Sequence, residues 1–319
     1  MRKESKGFHY PRGTAVATLG VVQLEATREV MGHTLPRTTA ALFGDFRSRL
    51  ELTGMQTSTV AERQKNVRAA VSRHLDVETD FLTGSYARHT LISPLKQADV
   101  DVFVVLDPAY HARGSSAVLD ITRNALLKTY TTPKVSRNGQ AITITFTDFL
   151  VDVVPAFNRK GGGYLIPAGG VGTFISTDPK VHESHSSFQN AAHDGDLVPV
   201  VKMIKAWNRS INRHFRSFHL EVLAWQVFRG ITISNDWSAV RFFFEKAIPT
   251  IRQAVHDPAG YGTDVAYYIN TGEQYAAAES RLNTALGRAR RAEQYARSGG
   301  MQSAIEQWRL LFGDYFPAS

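Results

Sequence analysis

One apolar run that admits charge only at its entrance constrains this chain more than any other feature. Residues 98–106 read ADVDVFVVL, with Val102 to Leu106 unbroken by a polar side chain. The run predicts a buried β-strand over Val100–Leu106, entered by Asp99 and Asp101. Side chains alternate faces along a strand, so the two acids project together while Val100 and Val102 point to the other face. Taken alone, such a pair fits a strand-entry turn with solvated acids. Ionised carboxylates are otherwise costly to bury unless paired or bound to metal, and two held this close repel unless a cation lies between them. A hard divalent ion such as Mg²⁺ suits oxygen ligands and keeps coordination places open for phosphate oxygens and water.

Two further signals turn the pair into a candidate site. FLVDVVPAF (149–157) is a second apolar strand interrupted by one carboxylate, Asp152. Beside Asp101 it would supply a third ligand and support two metal ions, one activating a hydroxyl and the other stabilising a leaving pyrophosphate. Gly84-Ser85 precedes a short helical stretch, 86–92. Backbone N–H groups and a hydroxyl at such a turn can hold a phosphate, and glycine permits the close approach.

Around these motifs the periodicity describes a mixed α/β part followed by a mainly helical one. Leu42, Phe46 and Leu50 recur at helical spacing, as do Val60, Val67, Val71 and Leu75, with Ser58 or Thr59 as the cap and Glu62 in the first turn. A third helix is expected over 115–130. The Asn138-Gly139 turn between alternating segments signals a hairpin over 134–147. The glycine-rich 159–172 reads as a loop or boundary. Beyond it, Leu197, Val200, Val201, Ile204, Trp207 and Ile211 form one stripe. The expected domains are an N-terminal extension (1–37), a catalytic core (38–170) and a helical lobe (171–319).

Composition narrows the chemistry. The absence of cysteine excludes disulfides and thiol catalysis, and limits any zinc site to His and carboxylates. A net charge of +8 fits either a polyanionic partner (nucleic acid, acidic lipid or phosphorylated small molecules) or an Arg-rich solvated surface, and does not by itself decide between them. The N-terminal apolar stretch 15–24 is too short to cross a bilayer, and no small-x-small cleavage pattern follows it, so a cytoplasmic location without a membrane partner is expected.

Other groupings read as structural. His182, His185, His193, Asp194 and Asp196 lack a catalytic glutamate at helical spacing and suit a polar loop better than a metal site. Asp148 reads as a turn acid and Glu221 as a hydrogen-bond anchor. The basic run over 281–297 reads as a solvated helix face, or a surface for a nucleic-acid activator or acidic partner.

The segment GSYARHTLISPLKQADVDVFVVL (84–106) resembles the Gly-Ser…Asp-x-Asp motif of the polymerase-β-like nucleotidyltransferases, and FLVDVVPAF resembles their third-carboxylate strand. STDPK, LVPVVKMIKAWN and SFHLEVLAW, within 176–225, resemble the cGAS/DncV-like members, the CD-NTases. The likeness spans roughly 38–230. It implies an α+β fold: a polymerase-β-like nucleotidyltransferase core, with a small mixed sheet and helices, packed against a helical C-terminal lobe. It also implies that Asp99, Asp101 and Asp152 hold two Mg²⁺ (or Mn²⁺), with Asp152 nearest the attacking hydroxyl. Gly84, Ser85, Lys205 and Ser217 would contact the donor triphosphate. Lys202, one turn before Lys205, either assists or is a solvated lysine. Tyr164 either stacks on a base or belongs to the core.

The implied activity is template-independent condensation of NTPs, ATP or GTP foremost, into a cyclic di- or trinucleotide with release of pyrophosphate. In bacteria this family supplies the messenger of an anti-phage (CBASS-type) system, with a nucleotide-activated effector downstream and a nucleic-acid or protein activator. The alternatives are a linear oligonucleotide or RNA-terminal nucleotidyltransferase, and a non-catalytic nucleic-acid-binding protein on the same fold.

Overall fold

The computed structural model describes residues 38–169, 172–262 and 264–319. The expected extension over 1–37 lies outside the described residues.

Helix α1 (Thr39–Leu50) is capped by Thr38, whose Oγ1 accepts from the Ala41 N–H at 3.1 Å. Helix α2 (Gly54–Ser72) begins a turn earlier than its apolar spacing suggests. Thr53 is its cap, and Gln56 closes a reciprocal capping box, so Ser58 and Thr59 fall inside the helix. Strand β1 (Val77–Thr83) follows, then the single turn α3 (Gly84–Ala87), shorter than the helix expected over 86–92. Strand β2 (Asp99–Leu106), helix α4 (Ser115–Leu127) and strands β3 (Lys134–Asn138), β4 (Ala141–Thr145) and β5 (Leu150–Asn158) complete the main sheet.

Sheet order is β1-β2-β5-β4-β3, with β2 and β5 parallel and the other neighbours antiparallel. Val100, Val102, Val104 and Leu106 enter one core with α2 and α4, where Val60, Val67, Val118 and Leu126 are fully buried. The other face of β2 carries Asp99, Asp101, Phe103 and Val105, so the alternation read from the sequence places both acids away from that core. Residues 159–167 of the glycine-rich stretch form a reversal and a strand where a loop is expected. Gly161, Gly162 and Gly163 all have positive φ and reverse the chain into β6 (Tyr164–Pro167), which pairs with β5 and with β7 (Phe174–Thr177).

Helices α5 (Pro179–Ala191), α6 (Leu197–Ser210), α7 (Ser217–Val227), α8 (Asp236–Thr250), α9 (Gly272–Arg297) and α10 (Met301–Phe312) form the helical part. Its core is a second cluster, rich in aromatic contacts such as Phe43 edge-on to Trp308 at 5.0 Å and Phe46 on Phe312 at 4.5 Å. Those two phenylalanines belong to α1. Sequence proximity groups α1 with the sheet, yet Leu42, Phe43, Phe46 and Leu50 pack into the helical core. No helix among the described residues is long and apolar enough to cross a membrane.

Candidate active site

Parallel pairing of β2 with β5 sets Asp101 directly beside Asp152, and β4 places Thr143 opposite Asp152. One ligand oxygen from each of Asp99, Asp101 and Asp152 lies within 4.8 Å of the others. Among the described residues this is the one cluster of His, Asp and Glu side chains drawn close enough to hold a metal ion. The electrostatics state the problem that an ion would solve. Burial pushes the Asp101 carboxyl up to about 7, and Asp99 and Asp152 add to the rise against the pull of Arg88 and Lys205. Burial also raises Asp152; the Thr143 hydroxyl, donating at 2.5 Å, opposes it, and Asp99 reinforces it. All three can stay ionised together once cations share their oxygens, and an all-oxygen set of this kind fits a hard divalent ion.

Gly84 is dictated by the same cluster. Its φ is +65°, and a Cβ there would fall 1.7 Å from Asp101 Oδ2. No other residue lets β1 end against Asp101, to which Thr83 is paired, and still turn at once into α3. The turn is closed by Thr90 and Leu91, whose N–H groups donate to Ser85 O at 2.9 and 3.0 Å.

Opposite the acids, α6 supplies Lys205 and Arg209 and α7 supplies Ser217 and Glu221, and the two sides line a pocket of about 230 Å³. Gly84, Ser85, Asp99 and Asp101 line it from the sheet, and Lys205 and Ser217 from the helices. Lys202 and Tyr164 are not among its lining residues. The Lys202 ammonium donates to both carboxylate oxygens of Glu51 at 2.6 Å. Tyr164 is on the same sheet face as the acids but buried among Phe81 and Phe103, with ring centroids 5.7 and 5.1 Å away. That surrounding fits the core alternative for Tyr164.

Sequence reading misses Arg88, Arg209 and Arg213, which also line the pocket. Two carry a usable signal. Arg88 stands four residues after Gly84 at the end of the Gly-Ser turn, and Arg209 lies one helical turn after Lys205. Arg213 lies past the end of α6 in a left-handed conformation, which no periodicity announces. Arg209 donates to Ser93 O at 3.0 Å and Gln97 O at 3.2 Å, and Arg213 also donates to Gln97 O. Together they hold the segment that leads into β2 against the helices.

The remaining groups read as structural occupy structural positions. Asp148 pairs with Arg63 at 3.3 Å and accepts from the Phe149 N–H. The stretch expected to be a polar loop is instead largely helix α5, which Asp178 caps by accepting from the Lys180 and Val181 N–H groups, with Pro179 in its first turn. On it His182 pairs with Asp257 at 2.6 Å and His185 packs edge-on to Trp225, while Asp196 beyond it pairs with Arg47 at 2.9 Å, so these side chains do not converge.

Comparison with known proteins agrees with this geometry. Residues 38–190 match the Second Messenger Oligonucleotide or Dinucleotide Synthetase domain family. A probable cyclic nucleotide synthase of Bacillus cereus (strain VD146) is 26% identical over 273 residues, covering 74% of this chain and 81% of the relative. A cyclic AMP-AMP-AMP synthase from an Acinetobacter strain is 25% identical, over 91% of this chain and 88% of the relative. In fold, the chain resembles CdnC of E. coli MS115-1, solved with ATP (TM-score 0.71, 20% identity, 87% of this chain and 98% of that one) and in a complex with HORMA-deltaN (TM-score 0.70). With its acid triad beside a pocket that Lys205, Arg88 and Arg209 also line, this chain is a nucleotidyltransferase that resembles the CD-NTases and carries the matched synthetase domain over residues 38–190.

Proposed function

We propose that this enzyme condenses ATP, alone or with GTP, into a cyclic di- or trinucleotide, using two Mg²⁺ ions held by Asp99, Asp101 and Asp152. The observation that carries the reading is the cluster of Asp99, Asp101 and Asp152, of which Asp99 and Asp101 line one small pocket together with Lys205, Arg88 and Ser217.

In each condensation a ribose hydroxyl oxygen bonds to the α-phosphorus of a second nucleotide, the bond to the β-phosphate oxygen breaks, and pyrophosphate leaves. Bound Mg²⁺ supplies the charge that acidifies the hydroxyl and neutralises the leaving group. Asp152, the carboxylate that the resemblance puts nearest the attacking hydroxyl, is suited to receive its proton. Ser85, Ser217, Arg88 and Lys205 hold the β- and γ-phosphates, so developing charge meets fixed donors. Closure of the ring repeats the step within the linear intermediate. The name of the Acinetobacter relative favours ATP as substrate. The HORMA complex of CdnC makes a protein activator the favoured partner over a nucleic acid. A nucleotide-activated effector would read the product in the bacterial cytoplasm as part of anti-phage defence.

The test is incubation with four NTPs and Mg²⁺, products resolved by mass spectrometry, beside an Asp99→Asn/Asp101→Asn control, repeated with candidate activators. A phosphatase-resistant product absent from the control is expected. A product that phosphatase shortens would replace this reading with a linear oligonucleotide or RNA-terminal synthase. Nucleotide or nucleic-acid binding without turnover under every condition would replace it with a binding protein.

A further inference from the structure

Glu221 lines the cationic side of the pocket, yet the chemistry above gives it no contact with phosphate. It stands on α7 one turn after Ser217 and is 0% exposed. Its Oε2 accepts from Arg88 Nε at 2.8 Å; its Oε1 accepts from Arg88 Nη2 at 3.3 Å and from Lys205 Nζ at 3.1 Å. Arg88 ends the Gly-Ser turn of the sheet side, 133 residues away in sequence, while Lys205 belongs to α6. A single buried carboxylate therefore ties together two cations contributed by opposite walls. The set has two positive charges and one negative, so a surplus positive charge is left facing the cleft. Donor capacity points the same way. A lysine ammonium has three N–H groups, and Glu221 and Thr90 (3.4 Å) take two, leaving one free for a ligand.

We propose that Glu221 is a positioning residue, holding Lys205 charged and Arg88 in register across the cleft so that both meet the polyphosphate of the nucleotide. The inference rests on the reading of this pocket as a triphosphate site. Burial pulls Lys205 below the usual lysine value; Glu221 opposes that pull, whereas Arg88 and Arg209 add to it. Asp101 on β2 is the other acid bearing on this lysine. Burial would raise Glu221, but Arg88 and Lys205 outweigh it and hold the carboxyl down to about 2, so it remains an anion at every working pH. Without that anion, a buried ammonium beside a guanidinium sheds its proton as pH rises.

The test is calorimetric binding of α,β-methylene ATP, which the enzyme cannot cleave at that bond, to the full chain with Mg²⁺. Relative to wild type, Glu221→Gln is expected to bind about tenfold more weakly or worse at about pH 8.5, with the gap closing toward about pH 6.5. Adding Lys205→Arg to Glu221→Gln should remove that pH dependence, because a guanidinium keeps its proton. Glu221→Asp keeps the charge but withdraws it by one methylene. It should bind several-fold more weakly without pH dependence, and it decides the matter if Glu221→Gln does not fold. A deficit in Glu221→Gln that is equal at both pH values, or wild-type affinity in Glu221→Asp, overturns the inference. Wild-type protein that binds the analogue but makes no product from NTPs would remove the synthase reading and leave the role of Glu221 standing. Wild-type protein that does not bind the analogue removes both.

Discussion

The two walls of the pocket are built on opposite electrostatic plans. On the sheet side, Asp99, Asp101 and Asp152 crowd together as like charges, and burial leaves Asp101 poorly ionised. On the helical side, Glu221 lies between Lys205 of the neighbouring helix and Arg88, which reaches it from the Gly-Ser turn of the sheet side, and pairs with both within the protein. The first wall is unfinished without an added cation. The second is finished, with one positive charge to spare. Repulsion on the sheet wall is thus a cost of function, whereas attraction on the helical wall also holds the two parts of the fold together.

The largest expected effect comes from breaking the sheet wall. Asp101→Asn should lower turnover by at least about 10²–10³-fold, as loss of a main electrostatic element does. The same change should raise the melting temperature of the metal-free protein, because it removes one of three repelling charges. Turnover and thermal melting in EDTA read the two effects, and a drop in both would contradict the picture of an unfinished wall.

Breaking the helical wall should move stability the other way. Glu221→Ala leaves Arg88 and Lys205 buried without their shared anion, at a cost of about 3–5 kcal/mol. Urea unfolding checks the value, and a loss below about 1 kcal/mol would show that the triad relaxes into solvent.

His219 sharpens the comparison from behind the same wall. It has no exposed surface, and its Nδ1 lies 2.8 Å from the Tyr268 hydroxyl. Burial depresses it to about 4, against an ordinary value of 6.5. As pH falls below about 6.5 the unfolded chain takes up a proton that the folded chain refuses. Stability is therefore full above that value and declines as pH falls toward about 4, by at most roughly 3 kcal/mol. His219→Gln should flatten that slope in a series of melting curves from pH 7 to pH 4.

A test of both walls at once lies at the joint between them. Gly84→Ala adds about 1–2 kcal/mol of backbone strain at positive φ and sets a methyl 1.7 Å from Asp101 Oδ2, so the carboxylate proposed to hold Mg²⁺ must shift. Apparent Mg²⁺ affinity, read from the metal dependence of turnover, should fall even where the protein remains folded.

Much of the sheet wall is legible in the amino-acid sequence. Asp99 and Asp101 share a strand with period-2 alternation, and a carboxylate inside an apolar run is conspicuous wherever it occurs, which is what singles out Asp152. Strand β1 escapes notice because VETDFLT is half polar and only partly buried, so it carries no clean alternation. Strand β6 escapes because three glycines precede it, and glycine marks a reversal as readily as a loop. Lys205 and Ser217 stand out through family resemblance. Their periodicity alone reads as ordinary helix.

Local chemistry is enough for the acids, the glycine turn and the amphipathic stripe of α6, since each depends on neighbours a few residues away. Tertiary structure decides the rest. It sends α1 into the helical core, gives Lys202 to Glu51, and buries Tyr164 beside Phe103. It also brings Arg88 to Glu221 across 133 residues. A buried charge is stable only with a partner, and which partner it meets depends on how distant elements pack, a relation that no local pattern in the chain encodes.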